Sequence, residues 1–140
     1  MEIFELIHLY EGADSRFSIG FFKTPTAAYT AVKKLSTVVG FCDYPKGFFL
    51  IPRYVQTEQK DLDKVFAVIV YFYPKEYHGG NYTEFDTYLG FFESQAEADR
   101  VLSRYLELNT DGIPGMERLC TAEAYPLDEI SDWEEGFTRD

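Results

Sequence analysis

The resemblance between two segments that lie 70 residues apart constrains this chain more than any other feature of its sequence. Residues 19–35 (IGFFKTPTAAYTAVKKL) align without a gap with residues 89–105 (LGFFESQAEADRVLSRY), and Gly-Phe-Phe has the same place in both segments. Each segment follows an apolar run and begins a helical pattern, as duplication of one unit predicts. We therefore interpret the chain as two copies, residues 1–57 and 65–127, followed by a tail, residues 128–140. The alternative is two unrelated halves that resemble each other by coincidence.

Each copy is predicted to fold as strand, strand, helix, strand. The first strands, residues 3–10 and 65–73, are rich in β-branched and aromatic residues, which is typical of a central strand. Apolar residues then recur at i, i+3, i+4 and i+7, so each helix packs one face on a sheet. The remaining strands are predicted at residues 17–22, 48–54, 85–92 and 119–125. The prediction is an α+β fold in a single domain, residues 1–140, with a mainly antiparallel sheet, helices packed on one face and pseudo-twofold symmetry.

Capping residues predict where the two helices begin and end. Thr24 and Ser94 carry hydroxyls that can accept hydrogen bonds from the free N–H groups of a first helical turn. Pro25 follows Thr24, and proline suits the first helical position because its missing N–H is not needed there. Gly40 is predicted to end the first helix, and residues 109–112 (NTDG) the second.

The composition is that of a globular protein of ordinary domain size. Its 140 residues are 46% hydrophobic, enough to form a core. Cys42 and Cys120 form neither a disulfide framework nor a metal-binding spacing, which is typical of a reducing compartment. No apolar run approaches the roughly 20 residues that span a bilayer, and the first residues lack the basic side chains of a signal peptide. We therefore expect a cytoplasmic protein whose mature form is the whole chain.

Negative charge is concentrated in the second half of the chain. The formal net charge is −11, yet residues 1–57 carry 6 basic and 5 acidic side chains, whereas residues 58–140 carry 7 basic and 19 acidic ones. Like charges at this density repel one another, repel nucleic acid and anionic membranes, and steer a positively charged partner. We therefore expect a basic protein as the partner, with no nucleic acid and no membrane.

The last residues combine this charge with aromatic side chains, in YPLDEISDWEEGF. An aromatic anchor surrounded by acids is typical of a protein interface, and tyrosines around HGGN add a second exposed surface. The predicted partner-binding residues are Asp128, Glu129, Asp132, Trp133, Glu134, Glu135, Tyr77 and Tyr82. Alternatively, Trp133 and Phe137 fold back over the sheet as a clasp, the carboxylates form a solvated rim, and the tyrosines have no binding role.

The sequence contains no recognisable motif for catalysis or cofactor binding. His8 alternates with Leu6 and Tyr10 along its strand, and we interpret it as a structural histidine with its hydrogen bonds satisfied. The two histidines and two cysteines are well separated, which disfavours a zinc site. A G-x-S-x-G elbow and a phosphate-binding glycine motif are both absent from the sequence. We predict no catalytic residues, no metal and no cofactor, and hence a protein that is not an enzyme.

Two segments resemble a pattern found in small uncharacterised bacterial proteins. GFCDYPKGF, at residues 40–48, is similar to their GF-x-DYP-x-GF segment, and WEEGF, at residues 133–137, is similar to their W-x-EGF ending. Those proteins have a compact single-copy form, whereas here a complete second copy separates the two segments. The size, the acidity and the lack of catalytic motifs are also similar to the bacterial immunity proteins that neutralise toxins, including those of contact-dependent growth inhibition.

This resemblance implies an acidic immunity protein that binds and blocks the active site of a cationic antibacterial toxin, such as a nuclease. The tail carboxylates would take the place of substrate phosphates and pair with lysine or arginine, and Trp133 would fill an apolar pocket. The alternative function is a small-ligand-binding or regulatory module without catalytic activity, with a cleft lined by Tyr10, Tyr71 and Tyr73.

Overall fold

Seven strands and two helices are present in the computed structural model, which describes residues 1–10, 16–75 and 85–138. Their order is β1 (Glu2–His8), β2 (Phe17–Phe22), α1 (Pro25–Leu35), β3 (Phe48–Gln56), β4 (Lys64–Pro74), β5 (Phe85–Phe92), α2 (Gln95–Leu108), β6 (Met116–Pro126) and β7 (Glu129–Ile130). The chain divides into two compact units. Unit 1 comprises Met1–Lys64 and Tyr125–Asp140, and unit 2 comprises Val65–Ala124. The tail, residues 128–140, therefore belongs to unit 1.

Unit 1 is built on four strands in the order β3-β1-β2-β7. β1 pairs antiparallel with both β2 and β3, and β7 pairs antiparallel with β2. One face of these strands presents Leu6, Ile19 and Phe22, which form a buried cluster with Ala28 and Leu35 of α1. The apolar face of α1 thus covers the strands, as the spacing of its apolar residues predicts.

Unit 2 has the strand order β6-β4-β5, and its β4–β5 pair is antiparallel. Phe66, Val68 and Phe92 of these strands pack with Ala98 of α2. Over the described residues this cluster has four buried members, whereas the corresponding cluster of unit 1 has eight. The α+β fold class and the mainly antiparallel pairing are confirmed; a single parallel bridge, Phe21 to Leu127, is recorded among the described residues.

The Gly-Phe-Phe segments have the same pairing pattern in both units. Gly20 pairs with Leu6 and Gly90 with Val68, and the strand register shifts immediately after each pair. A Cβ atom on Gly90 would lie 2.7 Å from the Phe92 ring, so this glycine leaves room for the ring two residues later. At Gly20 the Phe22 ring would be in ordinary contact at 3.4 Å, and the close neighbour would instead be the carbonyl oxygen of Glu129 in β7, at 2.5 Å. Descent of both units from one ancestor stays a prediction.

Both helices begin at the predicted capping residues. Thr24 Oγ1 accepts the N–H of Ala27 at 3.1 Å, and Ser94 Oγ accepts the N–H of Glu97 at 3.2 Å. These bonds satisfy N–H groups that have no partner within the helix itself.

The predicted end of α1 at Gly40 is wrong, because the helix ends at Leu35. Ser36 Oγ donates to the carbonyl of Val32 at 2.6 Å, and Thr37 Oγ1 donates to the carbonyl of Lys34 at 3.1 Å. Hydroxyls that bond nearby carbonyls offer the backbone an alternative to further helical turns. Gly40, with a φ of 87°, instead precedes a short 3-10 helix, Phe41–Asp43.

Replacing Ser94 with alanine is expected to destabilise the protein by about 1 kcal/mol, because the Glu97 N–H then loses its capping acceptor. Ser103 provides the matched control, since it lies exposed within α2 and its replacement by alanine removes no cap. Urea denaturation followed by circular dichroism measures both changes. Equal losses in Ser94→Ala and Ser103→Ala would contradict the capping role.

Candidate functional site

The backbone of the tail is hydrogen-bonded along the outer edge of β2. The N–H of Asp128 donates to the carbonyl of Phe21 at 2.8 Å, and the N–H groups of Ser131 and Asp132 donate to the carbonyl of Ile19 at 2.8 and 3.1 Å. β7 adds a bridge between Ile130 and Gly20. These bonds fix the positions from which the tail side chains project.

Phe137 anchors the end of the tail in the core of unit 1. Its side chain is buried, with its ring centroid 5.0 Å from that of Phe41, 4.8 Å from Phe17 and 5.4 Å from Tyr10. Trp133 extends the packing, since its ring stacks on Phe17 at 4.3 Å with an interplanar angle of 18°. We call these five residues the aromatic cluster.

Two glycines allow the tail to approach the chain that follows α1. A Cβ atom on Gly40 would lie 2.3 Å from the carbonyl oxygen of Phe137, and one on Gly136 would lie 2.1 Å from that of Val39. The N–H of Phe137 donates to the same Val39 carbonyl at 3.1 Å. The GFCDYPKGF and WEEGF segments, far apart in sequence, therefore meet in unit 1.

Three of the tail carboxylates already have partners within unit 1. Asp128 Oδ1 accepts the backbone N–H of Lys23 at 2.8 Å, and Asp132 Oδ1 accepts the N–H of Trp133 at 2.9 Å. Glu134 Oε1 lies 2.5 Å from Lys34 Nζ of α1, and this hydrogen bond, with the lysine charge, lowers the pKa of Glu134. All three carboxylate side chains remain exposed to solvent.

The side chains of Glu129 and Glu135 are exposed and form no hydrogen bond or ion pair within the described part of the chain. Their charge is not balanced by the rest of unit 1, because residues 1–64 carry 8 acidic and 8 basic side chains. The negative potential of unit 1 therefore originates in the tail. Exposed carboxylates on a fixed backbone attract cations without first ordering a chain.

Six predicted binding residues lie together on this tail: Asp128, Glu129, Asp132, Trp133, Glu134 and Glu135. Trp133 is half-buried against Phe17, and Phe137 is buried, so both aromatic residues fold back as the clasp alternative predicts. A binding role for the tail is compatible with that clasp and stays a prediction. Tyr77 and Tyr82 lie outside the described residues.

His8 is fully buried beside the aromatic cluster. Its Nε2 donates to the carbonyl of Tyr44 at 2.9 Å, and its ring meets those of Phe41 and Phe48 edge to face at 4.8 and 4.7 Å. Its Nδ1 has no hydrogen-bond partner among the described residues. Burial lowers the pKa of His8, because the protonated ring would place a second donor in apolar surroundings. The prediction of a structural histidine with all its hydrogen bonds satisfied is wrong for this atom.

Glu5 is a buried carboxylate that the sequence analysis did not single out. Its Oε1 accepts from Arg53 Nη2 at 2.8 Å, and its Oε2 accepts from Ser18 Oγ at 2.7 Å. An acidic residue within the apolar run IFELIH is the sequence signal that could have identified it. Because both oxygens are bonded to side chains of neighbouring strands, we interpret Glu5 as structural.

A groove of about 610 Å³ lies on unit 1 where the DYPKG turn meets the end of β1. Gly47 permits this approach, since a Cβ atom there would lie 2.1 Å from the carbonyl oxygen of Leu9. Its walls include Leu9, Tyr10, Asp43, Tyr44, Lys46 and Phe49. Of these, the sequence analysis had named Tyr10 alone as a candidate ligand contact.

No known protein family, no curated protein and no solved structure matches this chain. Among residues 1–10, 16–75 and 85–138, no group of three or more histidine, cysteine, aspartate or glutamate side chains is arranged to hold a metal ion. Neither helix in the described part of the chain combines the length and the apolar character that crossing a membrane requires.

Gly136→Ala is expected to destabilise the protein by about 1–3 kcal/mol more than Gly115→Ala. Both glycines have positive φ, 87° and 81°, so both substitutions introduce the same kind of backbone strain. Only at Gly136 would the new methyl group meet a neighbour, since a Cβ atom on Gly115 has nothing within 4 Å. Urea denaturation measures both variants, and equal losses would contradict the close approach of the tail to Val39.

Acidification from about pH 7.5 to about pH 5.5 is expected to destabilise the wild-type protein more than His8→Gln. The folded pKa of His8 lies below its ordinary value of 6.5, so the unfolded state binds more protons in this region. The stability that neutral His8 contributes is fully present above the pKa of His8 in the unfolded state. It is lost as the pH falls towards the pKa of His8 in the folded state. The contribution of His8 to the free energy of unfolding cannot change by more than about 1.4 kcal/mol per pH unit.

The free energy of unfolding of both proteins, measured in urea at the two pH values, provides the test. Glutamine retains an N–H donor for the Tyr44 carbonyl but does not titrate, so it controls for the loss of the ring. An equal decrease in the two proteins would mean that His8 does not titrate in this range.

Proposed function

We propose that this chain is an acidic immunity protein that acts in the cytoplasm by binding a basic toxin domain and covering its active site. The supporting observation is that five exposed carboxylates, those of Asp128, Glu129, Asp132, Glu134 and Glu135, project from a tail whose backbone is held on β2 and Val39. A nuclease is the toxin class that fits best, because its cleft already binds a row of phosphates.

A row of carboxylates with a fixed backbone suits an inhibitor better than a row of carboxylates on a mobile backbone. Binding through a disordered acidic segment would cost the entropy of ordering it, whereas here the backbone bonds to Phe21 and Ile19 have ordered it beforehand. Charge of this sign also accelerates the encounter with a basic surface and disfavours acidic partners.

The packing of Trp133 changes its proposed role. Because its ring stacks on Phe17, its larger contribution is to hold the acidic segment in place, and its half-exposed surface is what remains for a partner. Glu129 and Glu135 are the strongest candidates for ion pairs with a partner. Glu134 would first have to exchange Lys34 for a lysine or arginine of the toxin.

The groove favours a second candidate function, a small-ligand-binding or regulatory module without catalytic activity. Tyr10 lines the groove as that alternative requires, whereas Tyr71 and Tyr73 belong to unit 2. The two functions differ in their dependence on salt. Ion pairing through the tail weakens as the salt concentration rises, whereas an uncharged ligand in the groove would bind equally well.

We also propose that the two units arose by duplication of one ancestral unit. Two observations support this: both units have the element order strand, strand, helix, strand, and both have a register shift directly before the glycine of Gly-Phe-Phe.

The function is tested by capture followed by rescue. The tagged chain and a Glu129→Gln/Glu135→Gln variant are used to recover bound proteins from lysates of the native cell at low and high salt. Each protein recovered by the wild-type chain is then expressed in a host with and without this chain. We expect a recovered basic protein that kills the host alone and not in the presence of the wild-type chain. If no recovered protein is toxic, or the chain gives no rescue, the proposed function is wrong.

Reversing the charge of Glu129 and Glu135 together to lysine is expected to slow association with the recovered basic protein by about tenfold at low salt and to flatten its salt dependence. The matched control reverses Asp111 and Glu117, which are exposed in unit 2, and changes the net charge equally. Stopped-flow kinetics at several salt concentrations measures both. Equal slowing in the two variants would show that net charge matters, and not the position of the tail.

A further inference from the structure

The groove on unit 1 combines apolar walls with two charges that lie at its rim. Leu9 and Phe49 are 40% and 50% exposed, which is high for such side chains and leaves the groove open to solvent. Asp43 and Lys46, also exposed, form no ion pair with each other or with any described residue. Because one is acidic and the other basic, the groove itself is close to neutral.

The aromatic cluster connects this groove to the acidic tail. Trp133 stacks on Phe17 at 4.3 Å, Phe17 lies 6.1 Å from Tyr10, and Tyr10 stacks on Tyr44 at 4.5 Å. Tyr10 and Tyr44 are themselves walls of the groove. The two surfaces are therefore separated by three ring contacts, a distance that about five residues of extended chain can span.

We propose that the groove receives one large apolar side chain of the same basic partner whose lysines or arginines pair with the tail. This inference rests on the proposed function and specifies the chemistry of the partner: an aromatic or long aliphatic residue within a few residues of basic ones. A neutral apolar groove does not repel such a segment, and the carboxylates beside it complement its charge. An apolar anchor next to charged contacts is the usual distribution of binding energy at an interface.

The openness of the groove supports a protein segment as the occupant. Sites for small ligands bury most of the ligand surface, whereas the exposed Leu9 and Phe49 would cover an occupant on one side only. A side chain carried by a larger partner is covered on its other side by the partner itself. The surface that Phe49 and Leu9 expose to water in the free protein is then buried in the complex.

The test uses three labelled heptapeptides: three lysines on each side of a tryptophan, the same peptide with alanine in place of the tryptophan, and the tryptophan peptide with glutamates in place of lysines. Fluorescence anisotropy measures binding at low salt. We expect the lysine–tryptophan peptide to bind most tightly, the alanine peptide to bind at least tenfold more weakly, and the glutamate peptide not to bind. Similar affinities of the tryptophan and alanine peptides would overturn the inference.

Variants of the chain locate the bound tryptophan. Phe49→Ala is expected to weaken binding of the lysine–tryptophan peptide severalfold without changing that of the alanine peptide. Tyr29→Ala, which removes a comparably exposed ring from α1, is expected to change neither. Amide chemical-shift changes of the wild-type protein around Leu9, Tyr44 and Phe49 give a second measurement that needs no variant. If these shifts are absent, or if Phe49→Ala binds as the wild type does, the groove is not the site.

The failure of this inference can be distinguished from failure of the proposed function. If Glu129→Gln/Glu135→Gln weakens binding of both lysine peptides while Phe49→Ala weakens neither, the tail binds cations and the inference about the groove is wrong. If Phe49→Ala alone weakens binding, the groove is confirmed as an apolar site, and the pairing of basic groups with the tail is wrong.

Discussion

The packing of Phe137 into the aromatic cluster is the interaction on which the rest of unit 1 depends. The chain leaves unit 1 at Lys64, forms all of unit 2, and returns at Tyr125, so the tail reaches its place only by closing a long loop. Loop closure costs entropy that grows slowly with length. Burial of Phe137, the stack of Trp133 on Phe17 and the backbone bonds to β2 offset that cost. Without them, the acidic tail would have no fixed position.

The same packing explains why the two candidate surfaces lie near each other. Tyr10 contacts Phe137 on one side and Tyr44 on the other, so a single ring belongs to both the cluster that holds the tail and the wall of the groove. His8, on the same strand, bonds the Tyr44 carbonyl and positions the turn that completes the groove. Burial of its Nδ1 without a hydrogen-bond partner destabilises the fold. The packing of the aromatic rings and of the turn has to offset that cost.

Local patterns in the sequence were sufficient for both helix starts and for six of the seven described strands, and insufficient for β7 and for the site. These six strands and both helix starts follow from alternation, apolar spacing and capping, which act over a few residues. Glu5 and Arg53, which form an ion pair, are 48 residues apart in sequence. Period-two alternation predicts the face of the sheet on which each side chain lies, but it does not predict the partner of that side chain. The end of α1 was not predicted, because the side-chain hydroxyls of Ser36 and Thr37 compete with the hydrogen bonds of the helix. In a sequence, these two residues are a weaker signal for the end of a helix than glycine is. The groove depends on a long-range approach of Gly47 to Leu9, which no local pattern encodes.

The location of the tail also brings together two segments that are far apart in sequence. GFCDYPKGF and WEEGF both lie in unit 1, and their backbones approach closely at Gly40 and Gly136. Unit 2 interrupts them in sequence but contains neither segment. Its helix buries Ala98 alone among the residues described, whereas α1 buries Ala28, Ala31 and Leu35. Unit 1 is therefore closed by contacts between its first segment and its tail, which the sequence of unit 2 separates.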